Sequence, residues 1–274
     1  MKKYINLMFM CIFYICSILI LCSCEDKQSG YRDFFRVAVS PDYPPFVFMQ
    51  NGEIVGIDID IIREVSDKLN KSVILVKIPF NEILKAISEG AVDAAISSIA
   101  CSDERKKLVD FSEPYHTSSF AVLFRKGVIS GQSIEELNGR AIGVQSGSVM
   151  EEFLASTNQI SGFQTVSANN ATDLLKFLMT RKIDLILTDA AKAVVVKNAN
   201  PVLDYMLLPS LIKYELAIAL PKESPVKYQI NSILDNMEDT EVLEKIKRKW
   251  MGDEYIPLYN FNNILDIRGS FVDE

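Results

Sequence analysis

Twice along this chain, short β-rich runs alternate with helical stripes, and that alternation restricts the fold more than any other feature. Residues 36–39 are β-rich, and 46–49 and 54–57 flank Asn51-Gly52, a hairpin signal. Ile59, Ile62, Val65 and Leu69 then recur at helical spacing over 58–69. A strand-like run over 73–78 follows. Asn81 is expected to N-cap a helix that carries Ile83, Leu84, Ala86 and Ile87 on one face, with Gly90 as its stop. Residues 94–96 are strand-like again, and 116–125 read as a strand or connector leaving this first unit. The second set opens at Ser133, which forms a capping box with Glu136. It continues with strands over 141–144, 185–188 and 215–220 and helices over 148–156 and 172–180. Helices over 225–237 and 241–250 close the pattern, with Leu243, Ile246 and Trp250 on one face of the last. This order predicts an α/β protein of two units, each a mostly parallel sheet with helices on both faces. Extended connectors between the units, near Phe120 and Leu208, predict a ligand cleft between two lobes.

Cysteine usage and charge exclude several functions. Cys11, Cys16, Cys22 and Cys24 lie in the first 24 residues, so the body carries only Cys101. It has no disulfide framework and no paired-cysteine metal site. Cys101 reads as a semi-buried small apolar residue. His116 is the single histidine, which excludes a multi-histidine zinc site and leaves one residue on which a Ser–His–Asp triad could be built. The net charge of −7 argues against nucleic acid as a partner. Neither metal nor cofactor is expected.

The first residues read as an export signal. Lys2 and Lys3 precede an apolar stretch over 4–21 that is interrupted by Asn6 and Ser17. The ending Leu21-Cys22-Ser23-Cys24 resembles the lipobox of bacterial lipoproteins, with Cys24 as the lipidated first residue. Cys22 is the poorer candidate, because the large Leu21 precedes it. The alternative is an uncleaved transmembrane anchor. The expectation is a signal peptide over 1–23, a lipidated tether over 24–33, and a body in the periplasm or cell envelope, held to the lipid bilayer through Cys24.

The sharpest local feature runs from Ser97 to Arg105. It follows the carboxyl end of a strand, where open α/β sheets bind ligands. Ser102 is an N-cap for a short helix, and Arg105, one turn in, can grip a carboxylate with two bonds. The bland reading is a capping serine beside a solvated arginine.

The surroundings favour the first reading. Residues 36–120 carry Tyr43-Pro44-Pro45-Phe46, Gly56-Ile57-Asp58-Ile59-Asp60 and Gly90-Ala91-Val92-Asp93-Ala94. Glu104-Arg105 then leads into Asp110-Phe111-Ser112-Glu113-Pro114-Tyr115. The second half adds Gly143-Val144-Gln145-Ser146-Gly147-Ser148, Asp184-Leu185-Ile186-Leu187-Thr188-Asp189 and Lys249-Trp250-Met251-Gly252. In this order the motifs resemble the bacterial extracellular solute-binding proteins of family 3, the polar amino-acid binding proteins of ABC importers. The resemblance implies a two-lobed type II periplasmic-binding-protein fold. Its lobe 1 would span 34–119 and 212–252, its lobe 2 would span 120–211, and a tail would cover 253–274.

It also implies roles. Tyr43 and Phe80 would sandwich the ligand's aliphatic part. Arg105 would clamp its carboxylate, helped by the backbone N–H groups of Ala100 and Val149. Asp189 would accept from its α-ammonium, helped at Ser98 beside Ser97, and would also N-cap the next helix. Two departures bear on the ligand. Ala100 stands where the family often has Ser or Thr. Ser40 stands where an acid often meets cationic side chains, with Asp42 as a substitute if it points inward. Gln145 can hydrogen-bond a polar side chain, so a neutral polar amino acid is expected, delivered by a monomer to ABC permease subunits. The alternatives are a dehydratase-like enzyme of the same fold, with Glu113, Glu151 or Glu152 as acid, and a ligand sensor.

Overall fold

The structure, a computed structural model, describes residues 33–131 and 133–252. The expected signal segment, Cys24 and the tail over 253–274 lie outside the described residues. Strand β1 (Asp33–Val39) leads through β2 (Asp42–Tyr43) to a hairpin of β3 (Val47–Gln50) and β4 (Glu53–Val55). Asn51 and Gly52 between them have φ of 52° and 85°, the two left-handed residues a type I′ turn requires. At Gly56 φ is 130° and a Cβ would lie 2.2 Å from the Phe46 carbonyl oxygen, so only glycine fits. Helix α1 (Ile57–Lys68) then buries Ile59, Ile62 and Val65.

There follow β5 (Lys71–Lys77), a 3-10 turn (Phe80–Glu82), α2 (Ile83–Ser88), β6 (Ala94–Ala95), α3 (Asp103–Lys106) and the long β7 (Asp110–Arg125). A second 3-10 turn (Ile134–Leu137) precedes β8 (Ala141–Gln145), α4 (Val149–Ser156), β9 (Gln164–Ala168), α5 (Ala171–Met179), β10 (Leu185–Asp189) and α6 (Ala190–Ala199). Strand β11 (Leu203–Leu220), α7 (Lys227–Asp239) and α8 (Val242–Met251) complete the described chain.

The main sheet is mixed, in the order β5-β1-β6-β11-β7-β10-β8-β9. The pairs β1/β6, β8/β10 and β8/β9 are parallel, whereas β11 and β7 run antiparallel to each other through the middle. Their register slips between Leu208, which faces Phe120, and Lys213, which faces Ser119, at the place where connectors were expected.

Each lobe has a core on both faces of its part of the sheet. In lobe 1, Ile59, Ile62, Val65, Ile230 and Leu243 cover one face, while Ile83, Ile87 and Val92 cover the other. In lobe 2 the two faces are closed by Met150 and Leu154 and by Leu174 and Leu178. Burying such a side chain contributes about 1.5–3 kcal/mol. The terminal Lys-Trp motif straps α8 to α1: Lys249 Nζ and Trp250 Nε1 both donate to Asp60 Oδ2 at 2.7 Å.

Two expected caps differ. Asn81 lies inside the 3-10 turn that Pro79, with φ fixed at −54°, starts, and no side chain caps α2. Ser133 makes no capping bond, because Glu136 reaches past it to accept from the Gly131 N–H at 3.1 Å. Strand β9 was not apparent from the sequence because only Val166 and Ala168 of its five residues are apolar, too short an alternation to stand out.

Candidate functional site

Lobe 1 presents side chains held by buried polar groups. At the end of β6, the Ser97 hydroxyl accepts from the Ser40 N–H at 3.0 Å. Ser98 takes the left-handed conformation, with φ of 52°, and its N–H donates to Asp58 Oδ2 at 2.6 Å. The Tyr115 hydroxyl donates to Asp58 Oδ1 at 2.9 Å. Asp58 is fully buried, and loss of water pushes its carboxyl up to about 7. It braces the Ser97-Ser98 bend from the first turn of α1, a role hidden in the sequence inside the Gly56–Asp60 motif.

Four residues after Ser98, Ser102 caps α3 by accepting from the Arg105 N–H at 3.4 Å. Arg105 is 4% exposed. Its Nη1 donates to the Ala100 carbonyl at 3.1 Å, and its Nη2 to the Gly147 carbonyl of lobe 2 at 2.8 Å and to Glu152 Oε1 at 3.3 Å. The guanidinium lies 5.8 Å from the centre of the Phe80 ring. Burial lowers its pKa, and Glu152 partly restores it.

Lobe 2 answers with three strand-to-helix turns, each capped by a side chain. Ser148 caps α4, Asn170 caps α5 and Asp189 caps α6, accepting from the N–H groups of Glu151, Asp173 and Ala191. Each turn meets one lobe 1 residue through its backbone. The Gly147 carbonyl holds Arg105, the Ala171 N–H donates to Asp42 Oδ2 at 2.6 Å, and the Asp189 N–H donates to the Tyr43 hydroxyl at 3.3 Å. Tyr43 also meets Thr188 Oγ1 at 3.1 Å. Gly147 has φ of +75°, and a Cβ there would lie 3.0 Å from the Asn81 Cα of lobe 1.

Tyr43, Phe80, Ser97, Ser98, Ala100, Arg105, Gln145 and Val149 converge on one narrow cavity of about 20 Å³ between the lobes, joined by Ser148, Met150 and Tyr214. Ser148 ends the Gly143–Ser148 motif without an assigned role, and Met150 and Tyr214 lie outside the motifs. A water needs about 10–15 Å³ by this measure, so an amino acid enters only when the lobes or these side chains move. Asp189, fully buried and with its pKa raised for that reason, is not among the lining residues. Besides capping α6 it accepts from the Ser118 and Tyr214 hydroxyls. Asp42 does not stand free for a cationic ligand. It accepts from Ala171, from Gln145 Nε2 at 3.4 Å and from the Ser40 hydroxyl at 3.2 Å.

Beside the narrow cavity lies a wide mouth of about 1090 Å³, sharing Ala100, Val149 and Tyr214 with it. Of the three candidate acids, one lines this mouth. Glu152 pairs with Arg105, Glu151 accepts from the Gly147 N–H at 2.7 Å, and Glu113 is exposed. His116 is buried beside Phe46, with ring centres 5.5 Å apart, and desolvation pulls its pKa down to about 3. Cys101 is half-buried, as expected. Among the described residues no cluster of three or more His, Cys, Asp or Glu could hold a metal, and no helix is long and apolar enough to cross a membrane.

Comparison with known proteins gives the family and the fold. The family model described as bacterial extracellular solute-binding proteins, family 3, matches residues 35–253. The arginine-binding extracellular protein ArtP of Bacillus subtilis (strain 168) is 30% identical over 260 residues, covering 93% of this chain and 100% of that protein. An ancestral arginine-binding protein bound to glutamine superposes with a TM-score of 0.75 at 31% identity, over 81% of this chain and 100% of that one. An ancestral arginine-binding protein bound to arginine gives 0.74 at 30% identity, over 80% of this chain and 98% of that one.

Proposed function

Because the chain belongs to the bacterial extracellular solute-binding proteins of family 3, we propose that its body captures a free amino acid between the two lobes and hands it to the permease of an ABC importer. The observation that carries this reading is Arg105, a buried guanidinium between the aromatic Phe80 and the carbonyl of lobe 2's Gly147. A ligand carboxylate would take over from Glu152, which is exposed and can swing away. Tyr43 and Phe80 would flank the aliphatic part, and the Ala100 and Val149 N–H groups would complete the carboxylate site. The α-ammonium would go to Asp189, in exchange for the Tyr214 or Ser118 hydroxyl, with Ser98 beside it. A zwitterion taken out of water needs such pairing at both ends. The protein is a binding protein and not an enzyme.

Lobe 1 would comprise 34–119 and 212–252 and lobe 2 120–211, hinged where β7 and β11 slip in register. The protein acts outside the cytoplasmic membrane, as a monomer anchored through lipid on Cys24. A thermal-shift panel of the twenty amino acids on the full chain tests the reading. Ligand at about one hundred times Kd adds about 2.7 kcal/mol, or roughly 5–10 °C. A flat response to all twenty would overturn it. Intact mass of the membrane form checks the anchor, and retention of residues 1–23 would contradict it.

A further inference from the structure

A second cavity, of about 130 Å³, lies against Tyr43 and is contiguous with the first, sharing Tyr43, Gln145, Ser148 and Met150 with it. Its walls are mostly apolar, among them Leu174, Leu187 and Val196. Into it points Lys192, from the first turn of α6 and 8% exposed. The Lys192 ammonium sits 3.6 Å from the centre of the Tyr43 ring and, among the described residues, has no hydrogen bond or ion pair. Burial lowers its pKa to about 7, against the pull of Asp42 and Asp189.

The neighbouring acceptors are already committed. Asp42 takes bonds from Ala171, Gln145 and Ser40, and Asp189 from four donors. What the cavity leaves uncommitted is therefore a set of three N–H donors. Lys192 Nζ meets the Tyr43 ring face, and its N–H donors have no acceptor there, so this place suits an oxygen.

We infer that Lys192 sets the side-chain specificity: the cavity beyond Tyr43 takes an amino-acid side chain ending in a carboxylate or carboxamide oxygen and rejects a guanidinium or ammonium. The inference rests on the amino-acid reading above. With the α-carboxylate at Arg105, a side chain that passes Gln145 and Ser148 along the shared rim reaches the Lys192 cavity. The acids at the mouth, Asp103, Glu104, Glu152 and Glu215, are exposed. Solvated and screened charges act on encounter with a ligand more than on discrimination between ligands.

Titration calorimetry of the full chain with L-glutamate, L-glutamine, L-arginine and L-lysine decides. Glutamate, glutamine or both should bind at least about a hundredfold more tightly than arginine and lysine, the two acceptor ligands distinguishing a carboxylate from a carboxamide site. Lys192→Met should weaken the preferred ligand about thirtyfold or more, as truncating one partner of a buried charged hydrogen bond does. The ligand-free Lys192→Met protein should melt no lower than wild type, because it loses a buried charge without a hydrogen bond. Arginine or lysine bound as tightly as glutamate and glutamine would overturn the inference while leaving the amino-acid reading intact. Unchanged selectivity in Lys192→Met would overturn it equally. Binding of no amino acid would overturn both.

Discussion

The two faces of the cleft are built differently. Lobe 1 offers side chains: Arg105, Tyr43 and Asp42 reach across, and the bend at Ser97-Ser98 is braced by the fully buried Asp58. Lobe 2 answers with main chain at the starts of α4, α5 and α6, each fixed by a side-chain cap. Helix starts carry unpaired N–H groups and a partial positive charge, which suit a ligand's carboxylate. The difference separates two jobs. Side chains on lobe 1 can be exchanged to change what is bound, whereas lobe 2 offers a general surface on which the lobes close. Four lobe 2 side chains depart from this division: Gln145 meets Asp42, Glu152 meets Arg105, and Thr188 and Lys192 meet Tyr43.

The sharpest break in this comparison comes from the side-chain face. Arg105→Ala should cost about 2–5 kcal/mol of binding, roughly 30- to several-thousand-fold in Kd, and Arg105→Lys should recover part of it, keeping charge without the planar fork. Calorimetry with the amino acid that the thermal panel selects checks this. Wild-type affinity in Arg105→Ala would mean that lobe 1 does not clamp the ligand.

The brace gives the next effect. A carboxyl raised from 3.8 to about 7 on folding contributes stability that is fully present below about pH 4 and is lost as pH rises to about 7. Asp58→Asn does not titrate, so its melting temperature relative to wild type should climb through that window, by the equivalent of about 2–4 kcal/mol, and level off above it. A pH-independent difference between the two proteins would show that Asp58 is charged at no extra cost in the fold.

The main-chain face gives the smallest effect. Gly147→Ala puts a Cβ on a residue with φ of +75° and within 3.0 Å of the Asn81 Cα across the cleft. The positive φ strains both arrangements by about 1–3 kcal/mol and should lower the melting temperature, whereas the contact with Asn81 falls on the closed arrangement alone, so affinity should drop roughly 5- to 10-fold. Affinity within twofold of wild type would show that the lobes do not approach closely at this turn when ligand binds.

The same division governs what could be read from the sequence. Tyr43, Arg105 and Gln145 stand in motifs at family spacing, Phe80 followed from the resemblance alone, and the four meet at one cavity. The α/β order was legible wherever apolar residues recur with the helical or the strand period, as over 58–69. Strand β9 was not, because only Val166 and Ala168 alternate in it, and its partner β8 supplies the pairing. The committed state of Asp42 was hidden because it depends on the Ala171 N–H, which is distant in sequence. Lys192 looks like any solvated helix lysine until the fold sets it against Tyr43. The Ser133 cap failed because Glu136 found a nearer backbone donor in Gly131.

Capture between closing lobes is the central claim, and small-angle scattering on the full chain, with and without a saturating amount of the amino acid picked by the thermal panel, tests it most directly. The narrow cavity beside Arg105 holds only about 20 Å³, and the account has the lobes, rather than the lining side chains alone, part to admit a ligand and come together on it. The radius of gyration should fall when the ligand is added. An unchanged radius at saturation would mean a rigid, preformed pocket and would contradict the account.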